Sequence, residues 1–270
     1  MKSEPSRRVP PVEFEKVHFS IGGYQVLEDV SFRLWDGETT VVMGPSGVGK
    51  STVLRLVLGL FLPQQGDVRV RDRSVVHASD AERDEIRRQI GMVFQNGALF
   101  DSLTVGENVV YGSVEHGGLR FSEAEPVARR YLKLVGLDPE FVLDRLPDEL
   151  SVGMQRRASI ARALAFNEPR ILLYDEPTTG LDPISVETVT DVIIRLRAEL
   201  NVMSVVVTHE IAHALKVANR FLFLYDRGIA FDGNAQEMAD SRNPALLRFL
   251  EPFKISVASA FQSFTNGTSQ

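Results

Sequence analysis

Eight consecutive residues, Gly44-Pro45-Ser46-Gly47-Val48-Gly49-Lys50-Ser51, carry glycines, a lysine and a hydroxyl at the spacing that wraps a backbone loop around nucleotide phosphates. The chemistry this implies is capture of ATP or GTP. Backbone N–H groups of the turn and of the helix that follows are expected to point at the phosphates. Lys50 is expected to reach the β and γ oxygens and Ser51 to ligate magnesium, with the adjoining Thr52 completing the contact set. Farther along, the apolar run Ile171-Leu172-Leu173-Tyr174 ends in the paired carboxylates Asp175-Glu176. In a phosphate-loop ATPase such a pair divides the work: Asp175 holds magnesium through water, and Glu176 polarises the water that attacks the γ-phosphate. Gln95 ends another apolar run, Ile90 to Phe94, with an amide able to touch magnesium, the attacking water or both. His209 follows Val205-Val206-Val207-Thr208 and can donate to a γ-phosphate oxygen.

These groups need strands to deliver them. Thr39 to Met43 is apolar and β-prone, and Thr52 to Leu60 has helical periodicity, so the loop sits in the strand-loop-helix context that the motif requires. Strands are expected again at Ile90 to Phe94, Ile171 to Tyr174, Met203 to Val207 and Phe221 to Tyr225, with helices at Pro183 to Leu200 and Ile211 to Ala218. This alternation predicts an α/β fold with a mostly parallel sheet covered on both faces. Four strands then run directly into polar groups at their carboxyl ends, the edge at which open parallel sheets bind ligands. Ahead of the loop, Val12 to Leu34 alternates apolar and polar and breaks at Gly22-Gly23 and Asp36-Gly37, which predicts a small antiparallel sheet. Ser79 and Glu82 have capping-box spacing before a charged helix, Ala81 to Gln89. Residues from about Ser102 to Ala165 read as an inserted helical region, broken at Gly117-Gly118 and Pro147.

The chain has 270 residues, 44% of them hydrophobic, enough for one large α/β domain. No stretch approaches the roughly 18 apolar residues of a membrane-spanning helix, and Met1 to Pro11 is polar without a signal-peptide core, so the chain is expected to be soluble and to stay where it is made. Zero cysteines exclude disulfides and thiolate metal sites. A net charge of −6 argues against nucleic acid as the main partner. Asn266-Gly267-Thr268 has the glycosylation pattern, read here as a coincidence in a polar tail because no export signal precedes it.

Two further segments, Leu150-Ser151-Val152-Gly153-Met154-Gln155-Arg156-Arg157 and Gly180-Leu181-Asp182-Pro183, complete a set of motifs that closely resembles the nucleotide-binding subunit of ABC transporters over roughly residues 12–233. The resemblance implies an ATPase with ATP and magnesium as cofactors and a P-loop NTPase (RecA-like) core, an N-terminal antiparallel β subdomain and an inserted helical subdomain. Its implied limits are a flexible N-terminus at 1–11, an ATPase domain at 12–245 with helices at about 102–165, and a C-terminal extension at 246–270. In that family two subunits stack head to tail. By resemblance, Ser151 and the Gly153 backbone contact the γ-phosphate in trans, Gln155 belongs to the same set, and Asp182 communicates across the interface. Val152 replaces the first of the family's two adjacent glycines; the Gly153 N–H contact survives this, but Val152 cannot take up a left-handed conformation cheaply. Ile21 stands where family members commonly stack an aromatic residue on adenine, which makes Tyr24, three residues on, the candidate for that contact.

The run Phe94-Gln95-Asn96-Gly97-Ala98-Leu99-Phe100-Asp101-Ser102-Leu103-Thr104-Val105 is similar to the corresponding segment of Mla-type (MCE-associated) lipid-transport ATPases, as are Met154 and Thr179 to Ile184. This finer resemblance implies lipid transport, a homodimer at the cytoplasmic face of the inner membrane, integral permease subunits and an MCE-domain partner. An importer ATPase for amino acids or another solute, and a soluble ABC ATPase without a permease, are the alternatives. On the transporter reading Ala98, Leu99, Phe100, Leu103 and Val105 line a groove for a permease helix, and the apolar segment Leu246 to Phe264 docks on the neighbouring ATPase, with burial on its own domain as the alternative.

Overall fold

The computed structural model describes residues 9–253. Strands β1 (Val12–Ile21) and β2 (Tyr24–Leu34) form a hairpin across Gly22-Gly23, and β3 (Thr39–Met43) leads into the phosphate loop and α1 (Lys50–Val57). Next come β4 (Gln65–Val70), β5 (Arg73–Ser74), α2 (Asp80–Arg87) and β6 (Ile90–Val93). A helical region follows, with α3 (Val105–Glu115), α4 (Phe121–Leu134), α5 (Pro139–Val142) and α6 (Val152–Ala165). The chain then alternates β7 (Ile171–Asp175), α7 (Pro183–Leu200), β8 (Met203–Val207), α8 (Ile211–Val217), β9 (Arg220–Tyr225) and β10 (Gly228–Gly233). It closes with α9 (Ala235–Ala239) and α10 (Pro244–Leu250).

The central sheet has the order β10-β9-β3-β8-β7-β6, parallel except for the edge strand β10. Side chains of β7 alternate across it: Ile171 and Leu173 enter one apolar cluster with the first sheet and α1, while Leu172 and Tyr174 enter the other with α3, α4, α6 and α7. Both faces are therefore covered, and β3 and β8 are buried along their whole length. The antiparallel sheet, ordered β2-β1-β4-β5, departs from a purely N-terminal unit because β4 and β5 return to it after α1. The apolar run before Gln95 ends one residue earlier than its hydropathy suggests: β6 stops at Val93 and Phe94 is exposed.

Ser79 and Glu82 form the expected reciprocal cap on α2, the Glu82 carboxylate accepting from the Ser79 N–H at 2.7 Å. The same device starts α3, where Thr104 and Glu107 cap reciprocally. Fully buried Asn108 ties the segment after Gln95 to this helix: its Oδ1 accepts from the Phe100 N–H at 2.7 Å, and its Nδ2 lies 3.0 Å from the carbonyls of Phe100, Leu103 and Thr104. Asn108→Ala strands these partly buried backbone groups and is expected to cost about 1–3 kcal/mol, measured by chemical denaturation.

Two expectations for apolar surface change. Val105 is fully buried in the core at the start of α3 and lines no groove, whereas Ala98 and Phe100 are exposed and Leu99 and Leu103 half-buried. At the other end Leu246 and Leu250 are buried against the chain's own domain, and Phe249 packs on Phe223 with ring centroids 5.1 Å apart. Leu247 is exposed and Phe249 also meets Phe253, while positions 254–264 of the proposed docking segment, and Asn266 to Thr268, lie outside the described residues. Among the described residues no helix is long and apolar enough to cross a membrane.

Candidate active site

The phosphate loop joins the carboxyl end of β3 to α1, whose N-cap is Gly49 at φ 107°. A side chain there would strain the backbone, and its Cβ would lie 2.7 Å from Val26 Cγ1 on β2, so glycine lets the first sheet close directly over the loop. Lys50 is buried and its Nζ donates to the carbonyls of Gly44 at 2.9 Å and Pro45 at 3.0 Å. Burial draws its ammonium below the ordinary lysine range, opposed by the negative charges of Glu176 and Asp175. A cation fixed among loop carbonyls in this way is ready to transfer its donors to phosphate oxygens.

Behind the lysine, the Ser51 hydroxyl donates to Asp175 Oδ1 at 2.8 Å. A hydroxyl and a carboxylate side by side, both hard oxygen ligands, are the residues that would hold a magnesium ion, with phosphates and waters supplying the rest of its shell. The donor set fits that ion's preference for a few hard oxygen ligands.

Glu176 follows at φ 49°, a left-handed conformation that is costly for a residue with a side chain. The surroundings hold it there. Its N–H donates to the Val207 carbonyl at 2.9 Å, and its Oε2 accepts from Thr179 Oγ1 at 3.1 Å and lies 2.9 Å from His209 Nδ1. Ser46, Gly47, Gly49, Lys50, Ser51, Thr52, Gln95, Glu176 and His209 line one cavity of about 380 Å³. The four strand ends thus converge: the phosphate loop, Gln95, Glu176 and His209 share a single space. Tyr24 is 80% exposed at the hairpin end of β2, two residues before Val26. Ile21 pairs with it across the hairpin and is half exposed.

Ser151, Gly153, Gln155 and Asp182 stand apart from this cavity. Ser151 caps α6, its Oγ accepting from the Met154 N–H at 3.3 Å, and Gln155 Nε2 donates to the Leu150 carbonyl at 3.0 Å. Asp182 caps α7 by accepting from the Ile184 and Ser185 N–H groups at 3.1 Å each, and hydrogen bonds from Ser185 hold its carboxyl below the usual range. Gly153 packs so closely on α7 that a Cβ would fall on the Ser185 hydroxyl. Val152 is an ordinary first residue of α6 and largely exposed, so no left-handed backbone is demanded of it.

Several supporting residues escaped the sequence reading. Thr179 is one; its hydroxyl three residues past the acid was a local signal. Thr178 donates to Glu210 Oε2 at 3.0 Å and so links the turn after Glu176 to the start of α8. Arg156, buried in the middle of α6, donates to the Glu176 carbonyl, a partnership that no spacing announces.

A glycine-rich phosphate cradle, a hydroxyl–carboxylate pair and a strand-end glutamate on a mostly parallel sheet define a nucleotide-hydrolysing ATPase of the phosphate-loop class. The ABC transporter family profile matches residues 27–179, and the chain belongs to that family as an ATP-hydrolysing subunit. It is 33% identical over 240 residues to the Haemophilus influenzae intermembrane phospholipid transport system ATP-binding protein MlaF, covering 89% of this chain and 90% of that one. To the Escherichia coli glutamine transport ATP-binding protein GlnQ it is 42% identical over 242 residues, covering 89% and 97%. Among solved structures it resembles a dimeric post-hydrolysis ATP-binding cassette bound to ADP and Pi, with a TM-score of 0.73 and 34% identity, covering 83% of this chain and 98% of that one.

Proposed function

We propose that this chain powers the movement of phospholipid or a related lipid, working as a magnesium-dependent homodimer on the cytoplasmic face of the cell membrane beneath a separate permease. The observation that carries the dimer is the division of the site. Lys50, Ser51, Glu176 and His209 line one cavity, while Ser151, at the N-terminus of α6, is not among its lining residues. A second copy, turned head to tail, brings Ser151 and Gly153 to that cavity, and their N–H groups and helix dipole suit a γ-phosphate. ATP then holds the dimer shut and hydrolysis releases it, which rocks the permease between its access states.

Lipid as cargo is supported by the near end-to-end likeness to a phospholipid-transport ATPase and by the Gly97-Ala98-Leu99-Phe100 segment. An MCE-domain lipid-binding protein is the further partner this implies, and nucleic acid is not one. The higher identity to a glutamine-transport ATPase favours import of a small solute as the second reading. Affinity purification of the tagged full chain from membranes decides between them. Recovery of a multi-pass protein together with an MCE-domain protein is the expected result; a permease paired with a solute-binding protein transfers the assignment to the second reading, and recovery without any multi-pass protein removes the transporter reading.

A further inference from the structure

We propose that Arg156 is a positioning residue for hydrolysis, clamping the turn that carries Glu176 to α6 so that the helix serving a second copy's nucleotide also sets the attitude of the carboxylate in its own site. The inference rests on the dimeric reading above and deepens it.

Arg156 is 3% exposed, and among the described residues no carboxylate pairs with it. An unpaired guanidinium in the interior is costly, and an apolar side chain of similar length would fill the space without that cost. What the charge secures instead is backbone. Its guanidinium donates to the Glu176 carbonyl at 3.0 Å and reaches the Thr179 carbonyl at 3.5 Å, so it grips both ends of the four-residue turn. Within that turn the Thr179 N–H returns to the Glu176 carbonyl at 3.3 Å, and the Thr179 hydroxyl reaches the Glu176 carboxylate.

The grip matters because Glu176 holds a left-handed backbone at φ 49°, and such a conformation persists only where its surroundings over-determine it. On the far side of the turn, the guanidinium borders a cavity of about 310 Å³ shared with Gln95, Val152, Gln155, Thr179 and Gly180, so open space bounds the turn there. Arg156 lies five residues after Ser151, about one and a half turns into the same rigid helix. Any displacement of α6 as its N-terminus engages a phosphate is therefore delivered to the Glu176 carbonyl. Arg156 does not line the phosphate-loop cavity and acts through Glu176.

The test uses the full chain and ATP. R156M is expected to lower kcat by about 10²-fold. KM and directly measured ATP affinity stay within about threefold of wild type, because the phosphate loop is untouched. R156K, which keeps the charge but cannot fork to two carbonyls, falls between R156M and wild type. Light scattering of E176Q with ATP separates the two readings. If E176Q stays monomeric the dimeric reading falls; if it dimerises while R156M turns over at the wild-type rate, this proposal alone falls. Parallel loss of ATP affinity and kcat makes Arg156 a packing residue and also overturns it. Should R156M not fold, R156K decides: a lowered kcat at unchanged KM supports the clamp, and an unchanged kcat overturns it.

Discussion

Glu176→Gln is expected to leave ATP binding intact, to hold the proposed ATP-bound dimer closed and to lower turnover by about 10²- to 10⁴-fold. The substitution is conservative where it must be. Glutamine presents a carbonyl oxygen where Glu176 Oε2 now accepts from Thr179 and meets His209, so the left-handed turn and its supports are kept. What disappears is the basic carboxylate proposed to take a proton from the attacking water. Steady-state phosphate release set against equilibrium ATP binding measures the split. A variant that hydrolyses ATP near the wild-type rate would remove Glu176 from this role.

Lys50→Ala acts one step earlier and is expected to weaken ATP binding by at least about 10²-fold, since charge-assisted hydrogen bonds to phosphate contribute more than neutral ones. The apo fold adds to the effect: without the ammonium, the Gly44 and Pro45 carbonyls that it now satisfies lose their donor, and the loop loses its internal brace. Fluorescence titration with ATP reads the affinity. Tight residual binding would count against the phosphate loop as the nucleotide site.

The elements carrying chemistry were legible because each combines two independent signals. A short buried run such as Ile171 to Tyr174 announces a strand, and the polar residue terminating it announces the ligand edge. Capping signals were equally plain at Ser79 and Glu82, and the same spacing at Thr104 and Glu107 was there to be used. By contrast, β4 reads Gln-Gly-Asp-Val-Arg-Val, too polar and glycine-broken to declare itself, and it is a strand because β1 supplies its partners. β10 owes its place to the tight turn after Tyr225 in the same way. Arg156 left no trace in the sequence because its partners are backbone carbonyls twenty and more residues away, and backbone groups have no residue type to recognise. The separation of Ser151 from the phosphate loop was likewise a matter of tertiary arrangement, beyond the reach of local pattern.

The cap at the head of α6 has a bearing on how substitutions there are to be interpreted. Asparagine and aspartate start helices as well as serine does, yet aspartate would set a negative charge against an approaching phosphate. A hydroxyl combines both services on a single atom: its oxygen keeps the Met154 N–H while its hydrogen is free for an anion. Ser151→Ala therefore removes two things at once, the first turn's anchor and the proposed donor to an anion, and Ser151→Gly, which frays a helix start far less than alanine, isolates the second.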